Sequence, residues 1–150
     1  MNLSNVTLAA AGNYTVTVTG INPCGPVTSS IAELVVNRIL ITTQPVNTAI
    51  CATFNTSLSV VAAGNGLSYQ WYKGNIGSGV AVSNTASISG ANTNTLSFTP
   101  ASLADDGNYY VVVSGLAPCS PVTSSQVTLS VDQAITITAQ PIAQAICEGA

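Results

Sequence analysis

The sequence repeats itself, and the length of the repeat fixes the size of the unit that folds. The segment AGNYTVTVTG at residues 11–20 matches DGNYYVVVSG at residues 106–115, an offset of 95. This period matches one small domain, and self-similarity at a fixed spacing is typical of tandem structural units. Further matching pairs are PVTSS at 26–30 and 121–125, Pro-Cys at 23–24 and 118–119, and, at an offset of 96, AIC at 49–51 and 145–147.

The phase of the repeat divides the chain into three parts. We predict that residues 39–133 form one complete repeat. Residues 1–38 are predicted to be the last three strands of the preceding copy, since residues 1–3 align with residues 96–98 of the complete repeat. Residues 134–150 are predicted to be the first strand of a following copy. We therefore expect an excerpt from a longer tandem array.

A tight corner followed by a buried strand is predicted in the second half of the complete repeat. The segment DDGNYYVVV occupies residues 105–113. Alternate residues of a strand share one face, so Tyr109, Val111 and Val113 would face the core together. The pattern indicates packing rather than chemistry at this position.

Charged side chains are scarce, so the polar surface must be built from uncharged ones. Charged residues make up 5% of the sequence, against about 25% in typical domains. The surface is therefore left to Thr, Ser, Asn and Gln, which suit exposed strands and turns and suit helices poorly. No segment shows helical periodicity. We therefore predict an all-β fold.

The residues that usually carry catalysis or bind nucleic acid are also scarce. Histidine is absent, which removes the commonest general base and metal ligand. Arg38 and Lys73 are the only basic residues, so nucleic acid is not an expected partner. The neighbouring acids Asp105 and Asp106 are too few for calcium, which takes six to eight oxygens. With no run of about 18 apolar residues, membrane insertion is not expected either. We predict no enzyme activity, no cofactor and no metal.

Two motifs resemble those of immunoglobulin-like domains. Asp105-x-Gly107-x-Tyr109 resembles the corner before strand F, where a tyrosine hydroxyl bonds back to the backbone a few residues upstream. The segment LSYQWYK at residues 67–73 resembles strand C, with Trp71 in the core. The resemblance implies immunoglobulin-like β-sandwich repeats in tandem.

The chain departs from antibody domains at the two core cysteines of strands B and F. Val60 and Val111 stand at these positions. Two buried valines contribute about 1.5–3 kcal/mol each, so we expect packing to substitute for the missing bridge. Both valines are expected to contact the Trp71 indole.

The resemblance also gives the strands of the complete repeat their letters. Leu103 is predicted to plug the crossing between strands E and F. The predicted strands are A (39–44), A′ (48–52), B (56–63), C (67–73), E (95–99), F (107–115) and G (122–132), with short C′ and D strands within 76–93.

Four cysteines fall into two repeating positions. Cys24 and Cys119 lie in the turn between F and G, and Cys51 and Cys147 lie at the end of A′. No CxxC spacing occurs, so zinc is not expected. Three possibilities stay open: a disulfide between Cys51 and Cys119 of one repeat, disulfides from each A′ cysteine to the F–G cysteine of the next repeat, or unpaired cysteines acting as small hydrophobes.

The whole chain resembles tandem immunoglobulin-like repeats of very large bacterial surface proteins. Such repeats are common in Bacteroidota, where gliding members carry them in cell-surface adhesins exported by the type IX secretion system. The resemblance implies an extracellular location at the cell surface. The residues that carry it are Ile50, Cys51, 69–72, 88–91, 107–109 and 119–125.

Two functions are compatible with this resemblance. The first is a structural stalk or filament of an extracellular adhesin, whose partners are neighbouring repeats or other copies in the filament. The alternative is a module that binds a glycan or protein at the surface. Tyr69, Tyr72 and Tyr110 would line such a site if they face outward, and would be ordinary strand residues if they do not.

Overall fold

A computed structural model describes residues 5–147 and Gly149. The predicted strand at residues 1–3 and Glu148 of the predicted turn at 148–149 lie outside this range. Within it the chain is built from strands, and the two helical elements are single 3₁₀ turns at Leu8–Ala10 and Leu103–Asp105. No described helix is long and apolar enough to span a bilayer.

The strands are short and follow the predicted order. In chain order they are β1 (Gly12–Tyr14), β2 (Thr17–Val18), β3 (Val27–Thr28), β4 (Ala32–Leu34), β5 (Leu40–Thr43), β6 (Thr48–Cys51), β7 (Thr56–Ser59), β8 (Val61–Ala63), β9 (Ser68–Lys73), β10 (Val80–Ala81), β11 (Ile88–Ser89), β12 (Thr95–Phe98), β13 (Gly107–Ser114), β14 (Val122–Thr123) and β15 (Val127–Asp132).

Strands β5–β15 form three hydrogen-bonded sheets with the immunoglobulin-like arrangement. The first has the order β10-β9-β13-β15-β6, with β14 also paired to β13. The second contains β11-β12-β7, and the third joins β5 to β8. Among the described strands, the only parallel pair joins β6 to β15, so strand A′ lies beside strand G. The all-β, immunoglobulin-like prediction is therefore confirmed for residues 40–132.

The core lies between the sheets and takes its residues from alternate positions of their strands. Strand β13 has Tyr109, Val111 and Val113 fully buried, as their spacing predicts. Phe98 meets Tyr109 edge-on, with ring centroids 5.6 Å apart. The largest fully buried side chains are Trp71, Tyr109, Phe98, Leu58, Leu96, Leu129, Val60, Val111 and Val113.

Two predicted strands are interrupted where the chain changes partner. Predicted strand B divides into β7, which pairs with β12, and β8, which pairs with β5, with the buried Val60 between them. Predicted strand G divides into β14 and β15. Ser124 lies in that gap, and its hydroxyl accepts a hydrogen bond from the backbone N–H of Val111 at 3.0 Å. The Ser124 hydroxyl therefore replaces a backbone hydrogen bond that is missing where strand G is interrupted.

The prediction that Leu103 plugs the crossing between strands E and F is wrong. Its side chain is 53% exposed. Ala101 and Asp105 are buried in its place, because the 3₁₀ turn at residues 103–105 points the leucine outward.

Before the closed domain, two short antiparallel pairs form a hairpin. Strand β1 pairs with β4, and β2 pairs with β3. Tyr14, Val16 and Val18 alternate along one face of this hairpin and are all exposed, Val16 by 61%. This face corresponds to the buried face of β13, and here no described residues cover it.

Residues 134–147 contain no regular strand. The matching segment of the closed domain forms β5 and β6, which pair with β8 and β15 further along the chain. A first strand of a following repeat stays a prediction for these residues.

Candidate functional site

The described part of the chain offers few side chains that are arranged for catalysis or for metal binding. Within it, no group of three or more histidine, cysteine or acidic side chains is arranged to hold a metal ion. The features that distinguish this domain are its corner, its aromatic pair and its two ends. We call the end where residues 37–39 enter the domain the leading pole, and the end where Asp132 leaves it the trailing pole.

The corner at the trailing pole is held by hydrogen bonds around Asp105. The Tyr109 hydroxyl donates to the Asp105 carbonyl oxygen at 2.7 Å. The Asp105 carboxylate accepts bonds from the backbone N–H and the hydroxyl of Ser102, at 2.8 and 2.7 Å. Gly107 follows with φ +139°, a value that favours glycine. The Asp106 carboxylate accepts the N–H of Val131 at 3.0 Å, which ties the corner to β15.

The environment of Tyr109 keeps its phenol protonated. Burial raises the pKa of Tyr109 well above its ordinary value, and the nearby charges of Asp105 and Asp106 raise it further. The neutral phenol is the form that donates the corner hydrogen bond. Lys73 lies over the same ring, with Nζ 5.7 Å from its centroid, and donates a hydrogen bond to the carbonyl oxygen of Ala104. These groups stabilise the corner and leave no free acid–base pair.

Trp71 lies at the centre of the core. Its Nε1–H donates to the carbonyl oxygen of Thr93 at 3.0 Å, so the polar atom of the indole is satisfied. Val111 lies directly opposite Trp71 in the register between β13 and β9. Val60 belongs to the same buried cluster, with 1% of its surface exposed. The two positions that hold cysteines in antibody domains are therefore filled by buried valines.

Tyr69, Tyr72 and Tyr110, which would line a ligand-binding site if they faced outward, pack against other residues of the domain. Tyr72 and Tyr110 stack with centroids 5.1 Å apart and planes inclined by 8°. Tyr110 is only 5% exposed, and Gly79 lies so close that an added Cβ would approach its ring to 2.7 Å. Tyr69 is half-buried against the core. The three side chains therefore behave as strand residues rather than as an open aromatic surface.

A cleft of about 370 Å³ lies beside the corner. Its charged side chains, Lys73 and Asp105, are both engaged in the hydrogen bonds described above. The rest of its lining is Val80, Ala81, Val82, Ser83, Thr85, Ile88, Ala104 and Tyr109.

The cysteines are free and lie at opposite poles. Cys51 ends β6 and lies opposite Asp132 at the trailing pole. Cys119 lies at the leading pole, where its thiol donates a hydrogen bond to the carbonyl oxygen of Asn37 at 3.2 Å. The strand between the poles, β13, has eight residues and spans about 26 Å, whereas a disulfide needs Cα atoms within about 7 Å. A Cys51–Cys119 bond within the domain is therefore wrong, and Cys24 and Cys147 are also unpaired.

The leading pole contains contacts that the sequence did not reveal. The Asn65 amide donates to the Asn37 side-chain oxygen at 3.0 Å, joining the segment before the domain to the turn between β8 and β9. A cleft of about 240 Å³ lies at this junction. Asparagines are numerous in this sequence, so nothing in it indicated that Asn37 and Asn65 would contact each other. The cleft is lined by Leu8, Val36, Asn37, Arg38, Leu40, Ala63, Gly64 and Asn65.

The hairpin before the domain makes the same hydrogen bonds as the corner and strands F and G. Its pairings Gly12–Leu34 and Val18–Val27 correspond to Gly107–Leu129 and Val113–Val122 at the offset of 95. The Tyr14 hydroxyl donates to the carbonyl oxygen of Ala10 at 2.7 Å, as Tyr109 does to Asp105. Ser29 accepts the N–H of Val16 at 3.1 Å, as Ser124 does for Val111.

Comparison with protein families gives one match over most of the chain. A family described as "Ig-like domain CHU_C associated" matches residues 41–132. No curated protein matches the chain.

Solved structures resemble this chain in fold, at low sequence identity. Titin M4 is 21% identical, with 62% of this chain and 94% of that chain covered and a TM-score of 0.52. Extracellular domains 3–5 of Drosophila OTK are 19% identical, with coverages of 86% and 42% and a TM-score of 0.62. The eight N-terminal Ig domains of Down Syndrome Cell Adhesion Molecule are 17% identical, with coverages of 85% and 16% and a TM-score of 0.69.

Proposed function

The chain belongs to the bacterial family of CHU_C-associated Ig-like domains, typical of Bacteroidota surface proteins, and on that premise we propose that it is part of an adhesin stalk. In this proposal Ig-like repeats follow one another in tandem and hold an extracellular adhesive region away from the cell surface. Their partners are the neighbouring repeats of the same chain.

The observation that carries the proposal is the second copy of the F–G hydrogen-bond pattern. Residues 12–34 pair in the same register as residues 107–129, and both segments carry the tyrosine corner bond and the serine bridge. A pattern this detailed recurs at the sequence period of 95, so the hairpin is best explained as the end of another domain of the same kind.

The exposed face of that hairpin also supports its interpretation as the end of another Ig-like domain. Tyr14, Val16 and Val18 correspond to Tyr109, Val111 and Val113, which the opposing sheet buries completely in the closed domain. An apolar strand face gains about 25 cal/mol for each Å² removed from water, so it is expected to be covered in the functional protein. The strands of a complete repeat are the natural cover.

A stalk also fits the composition and the side chains of the domain. Charged residues make up 5% of the sequence, and the acids at the corner and the lysine near it are used in structural bonds. These structural bonds suit the sandwich of the described domain to the role of a spacer.

The test is whether added repeats lengthen the molecule by a constant step. We define the extended chain as residues 1–147 followed by a second copy of residues 52–147, which continues the sequence at the matching cysteine. Strands β14 and β15 together run from residue 122 to residue 132 and span about 35 Å, so small-angle scattering should show the maximum dimension of the extended chain exceeding that of the unextended chain by roughly that amount. Compact dimensions that do not increase by about this length would contradict a stalk.

The alternative, a binding module, predicts a different result. A binding module would retain its glycan or protein ligand when present as a single copy, so the unextended chain should give a signal on a glycan array. A stalk predicts no such signal from the unextended or the extended chain. Saturable binding that a substitution in the cleft beside the corner abolishes would favour the module.

A further inference from the structure

We propose that each repeat is covalently joined to the next by a disulfide between the cysteine that ends β6 and the F–G cysteine of the following repeat. The inference rests on the proposed tandem arrangement. In this chain it assigns Cys51 to a partner in the following copy and Cys119 to a partner in the preceding copy. No two of the four cysteines described here would then pair with each other, in keeping with the four free thiols.

The register of the parallel pair locates the first thiol. Cys51 lies opposite Asp132, the last residue of β15. At the repeat offset of 95, Asp132 corresponds to Asn37. In the preceding copy, the cysteine equivalent to Cys51 would therefore lie opposite Asn37, about 5 Å away across the strand pair.

The second thiol of the proposed pair, that of Cys119, also lies beside Asn37. Cys119 reaches the carbonyl oxygen of Asn37 with its Sγ at 3.2 Å. Both thiols would then border Asn37, which gives them the proximity that a disulfide requires. Asn37 is itself held in place by the Asn65 amide, so the junction is fixed by contacts independent of the cysteines.

The two thiols also approach from compatible sides. Side chains of paired residues project from the same face of a sheet, so the preceding cysteine would project on the Asn37 side-chain face. That face is turned toward Asn65, whose carbonyl oxygen accepts the N–H of Leu116 in the F–G turn. The turn that carries Cys119 therefore borders the face on which the other cysteine would lie.

The bond requires an oxidant, which an extracellular environment can supply as a low-molecular-weight disulfide. One thiolate attacks oxidised glutathione and releases one reduced glutathione. The second thiolate then displaces the other glutathione from the mixed disulfide. Each protein disulfide therefore reduces one glutathione disulfide to two thiols. The product joins the trailing pole of one repeat to the leading pole of the next and limits bending between them.

The extended chain tests the inference because it contains Cys51 and a following copy of Cys119. After incubation with oxidised glutathione and alkylation of free thiols, chymotryptic peptides are mapped without reduction. We expect a linked peptide joining Cys51 to the second Cys119, with both residues losing their alkylation. Cys51→Ser should abolish that peptide and leave the second Cys119 alkylated, whereas Cys24→Ser should leave it unchanged.

Scattering on the same sample separates this inference from the proposed function. If the dimensions grow by one repeat and Cys51 stays alkylated, the disulfide is wrong and the stalk stands. If the dimensions do not grow and the link is absent, both are wrong. A linked peptide that joins Cys51 to the first Cys119 would also overturn the inference.

Discussion

Tyr109 donates its hydroxyl hydrogen bond to the carbonyl oxygen of Asp105, at 2.7 Å and across only four residues. The ring fills the core while the hydroxyl fixes the corner, so one side chain joins the buried strand to the turn before it. Tyr14 makes the same bond to Ala10 in the exposed hairpin, which offers a matched control for each test of the corner.

Removing the corner hydroxyl should destabilise the closed domain. Tyr109→Phe keeps the ring and leaves the buried Asp105 carbonyl without its partner, so we expect a loss of about 1–3 kcal/mol in the free energy of unfolding. Urea denaturation followed by Trp71 fluorescence measures it. Tyr14→Phe lies outside the domain and should change this transition by less than about 0.5 kcal/mol. Equal losses in the two variants would contradict the role of the corner.

The stability of the domain should fall at alkaline pH because of the same tyrosine. The pKa of Tyr109 is raised in the folded state, while the unfolded value is about 10. The folded state therefore holds the proton more tightly, so this contribution is complete below pH 10 and is lost as the pH rises above it. We expect up to about 1.4 kcal/mol of additional loss for each pH unit above 10, measured by urea titration. Tyr109→Phe should show a shallower decline; an unchanged slope would contradict this assignment.

Shortening a core valine should cost much more than shortening its counterpart in the hairpin. Val111→Ala removes buried methyl groups and leaves a cavity, so we expect about 1.5–3 kcal/mol of destabilisation by urea denaturation. Val16→Ala, at the equivalent position, should have almost no effect on the same transition because Val16 is 61% exposed. Comparable effects would mean that the hairpin is packed against the domain in solution.

The Tyr72–Tyr110 stack should depend on the absence of a side chain at Gly79. An added Cβ would lie 2.7 Å from the Tyr110 ring and 3.1 Å from the Lys73 carbonyl oxygen. Gly79→Ala is therefore expected to destabilise the domain by about 1–3 kcal/mol in thermal unfolding, as overpacking does. Gly25→Ala meets no atom within 4 Å and serves as the control. Wild-type stability of Gly79→Ala would show that the stack relaxes without cost.

The exposed hairpin face should make the unextended chain self-associate. Burial of a valine contributes at least about 1.5 kcal/mol, so Val16→Lys should weaken association about tenfold in sedimentation experiments. Thr17→Lys introduces the same charge on the opposite face of the strand and should leave association nearly unchanged. A chain that stays monomeric at all concentrations would contradict the expectation that this face needs a cover.

The alternation along the strands was sufficient to predict most of the core. Tyr109, Val111 and Val113 are buried because a strand turns every second residue to one face, and that rule needs no knowledge of the partner sheet. The corner and the repeat of its pattern at Tyr14 were likewise readable from short motifs and a constant offset.

Only the tertiary structure decided what covers each face and which distant residues meet. Leu103 is as apolar as the core leucines, yet it is exposed because the 3₁₀ turn directs it outward. Tyr110 lies on the outer face of β13 by alternation, yet Tyr72 and Gly79 bury it. Cys51 and Cys119 share one repeat in the sequence, but the length of the sheet separates them, and it is Asn37 that meets Cys119. Local periodicity fixes the direction of a side chain, whereas its neighbours depend on strand pairing between residues far apart in the chain.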